Sequence, residues 1–108
     1  MTETSGAREA LKLLGLAQRA GAVVTGLEAT RRAVREGRAH MVLLAADASP
    51  GQLRKVTALL EHRAVPRRVP GDRISLGTAL GGPPLSAVAV TRREFAEPLL
   101  RHLTEGAG

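Results

Sequence analysis

Apolar residues recur at Ala10, Leu13, Leu14 and Ala17, the i, i+3, i+4, i+7 spacing of an amphipathic helix, predicting a first helix over Ala7–Ala20 closed by Gly21. Gly15 sits inside it, at a propensity cost of about 1 kcal/mol unless close packing requires a missing side chain. Ala22-Val23-Val24-Thr25 is short, rich in β-branched residues and bounded by Gly21 and Gly26, so it reads as a strand. Between Leu27 and Glu36 the residues Leu27, Thr30, Ala33 and Val34 fall on one helical face, with Glu28, Arg31, Arg32 and Arg35 on the other; Gly37 ends this second helix. Met41-Val42-Leu43-Leu44-Ala45 is apolar at every position, the pattern of a central strand covered on both faces.

Ser49, Pro50 and Gln52 then form a capping box with proline at the first helical position, opening a third helix whose core face is Leu53, Val56, Leu59 and Leu60, running to about Arg63. Val65–Val69 reads as a short strand with Pro66 near its start, and Asp72 as the cap of a fourth helix through Leu80. Gly81-Gly82-Pro83-Pro84 stops that helix, and Ala87-Val88-Ala89-Val90 is a second all-apolar strand. Thr91 and Glu94 predict another capping box, opening a last helix with Phe95, Leu99 and Leu103 toward the core; Pro98 is expected to kink it near Glu94 or restart it after Glu97. The alternation predicts an α/β fold: a three-layer α/β/α sandwich around a central sheet of about four strands. Residues 7–104 form one domain, flanked by flexible termini at 1–6 and 105–108.

Composition narrows what such a domain does. The 108 residues carry 16 Lys+Arg against 10 Asp+Glu, a formal charge of +6, which suits nucleic acid. An arginine-heavy, Ala/Gly-rich chain is also what GC-rich coding imposes, so charge alone does not decide. Phe95 is the sole aromatic residue, which removes the base-stacking modes of single-strand-binding folds and leaves phosphates, shape and hydrogen bonds as the route to nucleic acid. Zero cysteines exclude disulfides, zinc ribbons and thiol chemistry. The longest apolar run, Met41–Ala46, falls far short of the roughly 18 to 20 residues of a membrane span, and Arg8, Glu9 and Lys12 interrupt any signal peptide, so a cytoplasmic protein with no membrane role is expected.

Candidate chemistry is sparse. Ser49, Ser75 and Ser86 lie outside any nucleophile elbow, His40, His62 and His102 lack metal-ligand spacing, and the glycines at 77, 81 and 82 lack a phosphate-loop Lys-Ser/Thr and are read as turn formers. No catalytic residue, metal or cofactor is expected, and the chain is read as a non-enzyme. Gly26 begins the second helix straight after a strand, leaving unpaired N–H groups at the positive end of its dipole. Behind it Arg31, Arg32, Arg35 and nearby Arg38 form a basic strip able to track phosphates. Arg32 also stands four residues from both Glu28 and Glu36, the spacing of solvated surface ion pairs, and the sequence leaves these two roles open.

Three stretches in register carry a resemblance: Ala17-Gln18-Arg19-Ala20-Gly21-Ala22-Val23-Val24-Thr25-Gly26, then Arg32-Ala33-Val34-Arg35-Glu36-Gly37, then Leu43-Leu44-Ala45-Ala46-Asp47-Ala48-Ser49-Pro50. Val65-Pro66, Gly71, Leu76-Gly77-Thr78-Ala79-Leu80-Gly81 and Ala87–Val90 follow in the same order. From about Ala7 to Phe95 the chain resembles the kink-turn-binding ribosomal proteins of the L-seven-Ae and L-thirty-e group, most of all the small stand-alone bacterial members.

The resemblance implies a protein that binds structured RNA, typically a kink-turn, in ribosomal or another RNA; a monomer is expected, with the ribosome as a candidate partner. It implies two contact elements: the start of the second helix at Gly26, Leu27, Glu28, Ala29 and Arg32, and the loop before the last strand at Gly82, Pro83, Pro84, Leu85 and Ser86; Arg31 and Arg35 of the basic strip are candidate contacts from charge and spacing alone. Family members that bind kink-turns strongly have Asn-Glu where this chain has Glu28-Ala29; Ala29 offers no hydrogen bond to a guanine edge, and Glu28 adds charge near phosphates while offering no amide donor. That departure makes a protein-interaction adapter on the same fold the alternative reading.

Overall fold

The computed structural model describes residues 2–107, with side chains for residues 6–103. The chain runs through α1 (Thr2–Arg19), β1 (Val23–Thr25), α2 (Leu27–Arg35), β2 (Met41–Ala45), α3 (Pro50–Leu60), β3 (Arg67–Gly71), α4 (Arg73–Ala79), β4 (Ala87–Val90) and α5 (Arg93–Ala107). The two strands that are apolar throughout, β2 and β4, are buried at every position and occupy the middle of a four-stranded sheet of order β1-β4-β2-β3. β4 is antiparallel to both neighbours, with Val24 opposite Ala89 and Val42 opposite the same residue, while β2 and β3 are parallel.

Strand alternation sends successive side chains to opposite faces and divides the core in two. Met41, Leu43, Ala45, Val88 and Val90 pack against Leu14 of α1, Leu76 of α4 and Leu99 of α5. Val42, Leu44, Ala87 and Ala89 pack against Ala33 and Val34 of α2 and Val56 of α3. The result is the three-layer α/β/α sandwich that the pattern predicts, with α1, α4 and α5 on one face and α2 and α3 on the other. Gly15 earns its place by contact: a Cβ there would lie 3.0 Å from the Ala79 carbonyl oxygen, so α1 and α4 cross closely at this point.

Several boundaries differ from the pattern. α1 begins at Thr2 rather than Ala7, and α3 stops at Leu60, where the Arg63 side chain donates to the Leu59 carbonyl at 3.0 Å. β3 is displaced from Val65–Val69 to Arg67–Gly71. The Val42 N–H takes the Pro66 carbonyl before ladder pairing starts, and two steps on β2 (Leu43 to Ala45) then oppose three on β3 (Arg68 to Gly71). Edge position tolerates the Pro70 that this register places inside the strand.

The expected capping box at Thr91 does not form: α5 starts at Arg93, the Phe95 and Ala96 N–H groups donate to the Arg92 carbonyl, and Glu94 pairs with the Arg92 guanidinium at 2.6 Å. Nor does Pro98 interrupt α5, which continues through it as one helix. The carbonyl that loses its donor is that of Glu94, an exposed residue in the first turn of the helix.

Candidate nucleic-acid interface

Gly26 turns the chain from β1 into α2 at φ 99° and ψ 160°, a conformation that a residue with a Cβ rarely adopts. No side chain caps the helix, so its first-turn N–H groups have no side-chain acceptor and keep the positive end of the dipole open. The Gly26 N–H itself donates to the Ala87 carbonyl at 2.9 Å, which fixes the start of α2 beside the residue that ends the Gly82–Ser86 loop. Both sequence-predicted elements are thereby held at one end of the sheet.

The loop is pinned on three sides. Gly82 N–H donates to the Gly77 carbonyl at 2.9 Å, Leu85 N–H to the Arg73 carbonyl at 3.1 Å, and the Ala45 N–H to the Ser86 carbonyl at 2.9 Å. Beneath it lies Gly77, where a Cβ would come within 2.1 Å of the Pro83 oxygen. Gly77 is therefore not the turn former that the sequence suggested; it is a buried helical residue of α4 whose bare backbone admits the loop. Leu85 packs into the α1/α4/α5 core cluster, while Pro83 and Pro84 stay exposed.

A third element joins them that motif reading missed. Ser49 caps α3 by accepting from the Gln52 N–H at 3.2 Å, the Gln52 side chain returns to the Ser49 N–H, and Gln52 Oε1 also accepts from the Ser86 hydroxyl at 3.0 Å. The capping box was visible in sequence; its contact across 34 residues was not. Close by, Asp47 accepts from the Arg73 N–H at 2.8 Å and joins the start of α4 to the β2–α3 turn.

The charges on α2 sort differently from their spacing. Arg31, not Arg32, takes Glu28, its guanidinium donating to both carboxylate oxygens at 3.1 and 3.0 Å, and Arg38 takes Glu36 at 2.9 Å. Arg31 is half-buried, and its Nε has no hydrogen-bond partner among the described residues. Arg32 and Arg35 are exposed and form no ion pair among the described residues, which leaves them as the available cations of the strip. Leu27 packs toward the α2/α3 core cluster, Ala29 is half-buried and Thr30 is buried, so of the first turn only the Glu28 side chain is exposed. Phe95, the single aromatic, packs against the α1/α4/α5 cluster.

Among the described residues no cluster of His, Asp and Glu is arranged to hold a metal ion, and no helix is long and apolar enough to cross a membrane. Asp72, capping α4, and Glu94 are both held below the usual carboxylate range. For Asp72 the main cause is the Ser75 backbone N–H; for Glu94 it is its own backbone N–H, then Arg92.

Residues 8–99 match the profile of the ribosomal protein L7Ae/L30e/S12e/Gadd45 family. The chain is 40% identical over 88 residues to a protein from Bacillus subtilis (strain 168) named RNA-binding protein YlxQ, covering 82% of this chain and 88% of that one. Among solved structures, a protein with unknown function from Bacillus halodurans C superposes with a TM-score of 0.84 at 32% identity, covering 88% of this chain and 96% of its own. The Giardia lamblia 15.5kD RNA binding protein superposes with a TM-score of 0.80 at 20% identity over 95% of this chain and 88% of its own, a likeness of fold.

Proposed function

The chain belongs to the ribosomal protein L7Ae/L30e/S12e/Gadd45 family, and from that premise we propose that it is a non-catalytic, cytoplasmic RNA-binding protein that recognises bent, kink-turn-like structured RNA such as ribosomal RNA. The observation that supports this reading is the juxtaposition of the uncapped start of α2 with the Gly82–Ser86 loop, tied through Gly26 and Ala87. An open helix dipole and the exposed cations Arg32 and Arg35 attract phosphates, while the fixed loop offers Pro83 and Pro84 to extruded bases. Such a surface reads the shape of a bend and needs no aromatic platform. The name of the Bacillus subtilis relative, an RNA-binding protein 40% identical to this chain, agrees with the RNA-binding part of the proposal.

Affinity for a kink-turn RNA and for a straight duplex of the same length, each measured over a salt series, tests the proposal. Tighter binding of the kink-turn at every salt concentration is expected. Equal and weak binding of both, with the same salt slope, would leave only nonspecific attraction of a basic protein for phosphates.

A further inference from the structure

On the opposite layer of the sandwich from α2 and α3, an open groove of about 1090 Å³ runs between α1 and α4. Its floor forms where the two helices touch at Gly15 and Ala79, and Leu11, Leu16 and Ile74 line it. Three large apolar side chains are strongly exposed among the described residues; Leu16, at 51%, and Ile74, at 65%, both belong to this groove. Two exposed aliphatic side chains thus share one concavity instead of standing singly on the surface.

The rim identifies the partner's chemistry. Arg8, Lys12 and Arg19 stand at the groove along one side of α1, and among the described residues no acidic side chain lines it. Lys12 has only a distant pairing with Glu9, at 3.8 Å, and Arg8 and Arg19 have no carboxylate partner among the described residues. Spacings of four and seven residues place these cations in a single row. A nucleic acid would match the row but not the aliphatic floor. We propose that this groove docks an acidic amphipathic helix of a partner protein, its apolar stripe seated on Leu16 and Ile74 and its carboxylates along Arg8, Lys12 and Arg19. The inference does not rest on the RNA reading, since the groove and the RNA-facing end share no residue.

Photo-crosslinking from the full-length chain in its own cells tests it, with a benzophenone amino acid placed at Ile74 and, separately, at Leu16. Both positions should crosslink the same acidic helical segment of another protein, identified by mass spectrometry, and the pair Arg8→Glu and Arg19→Glu should lower the yield roughly tenfold. Both arginines are exposed, so circular dichroism should show an unchanged fold. Arg32→Ala, at the other face, should leave the yield unchanged. Crosslinks to RNA, to a second copy of this chain or to a segment without acidic residues would overturn the proposal, as would no crosslink or a yield indifferent to charge reversal.

Discussion

The Ser86 hydroxyl donates to Gln52 Oε1 at 3.0 Å, and through that bond the side chain that closes the α3 capping box also holds the loop before β4. Gln52→Ala should therefore lower stability by about 1 kcal/mol in urea denaturation, the usual worth of a cap and a neutral hydrogen bond. Ser86→Ala keeps the α3 cap and should cost less. Both variants should weaken RNA binding several-fold, because each releases the same loop. A loss of stability with RNA affinity intact would reduce Gln52 to a helix cap.

Gly77 lies under the same loop, with space for hydrogen only. A methyl group there meets the Pro83 oxygen and carbon at 2.1 and 2.6 Å and the Pro84 Cα at 2.9 Å, all backbone atoms that cannot rotate aside. Gly77→Ala should cost about 1–3 kcal/mol and move residues 83–84, visible as amide shift changes confined to the loop and α4. Gly51 has open space around its missing side chain, so Gly51→Ala is the matched control and should not destabilise.

These two residues mark what the sequence could and could not convey. β2 and β4 were readable because burial on both faces leaves no polar position, and the caps at Ser49 and Asp72 because their partners lie three residues away. The place of β3 was not, since its register depends on a bulge and on an edge that accepts Pro70. Glu28 had two arginines within reach on the same helix, at i+3 and i+4, and periodicity does not rank them. Gln52 and Gly77 matter to the loop through contacts that only the folded chain brings about, so neither spacing nor composition announces them.

Asp72 gives the fold a pH dependence with a definite sign. Its carboxylate accepts from the Ser75 N–H at 2.8 Å, which holds it below its ordinary value of 3.8. A carboxyl depressed in the folded state contributes stability that is fully present above the unfolded value and is lost as pH falls through the folded one. Asn caps helices as well but carries no charge. The stability of the native chain minus that of Asp72→Asn should therefore be constant above about pH 5 and shrink as acid is added below pH 3.8. Urea midpoints across pH 2–7 check this; a difference that stays level through that acid range would show that the charge adds nothing to the cap.

The pairing of Glu28 with Arg31 rather than Arg32 ranks the cations of α2. Arg32 is exposed and has no ion-pair partner among the described residues, so Arg32→Ala should weaken RNA binding and flatten the salt slope by about one unit, as for one lost phosphate contact. Arg31 already spends its charge on Glu28, and its loss also frees a carboxylate, whose repulsion of phosphates adds to the effect on affinity without a matching change in slope. Glu28→Asn does the reverse. It removes a negative side chain that is 72% exposed, releases Arg31 and supplies an amide donor at the helix start. Affinity for a kink-turn RNA should rise, the salt slope should steepen as Arg31 joins the contact, and the gain over a straight duplex should exceed the gain in duplex binding itself. An equal rise for both RNAs would mean that Glu28 acts only through its charge, and no rise at all would place the RNA contact away from the start of α2.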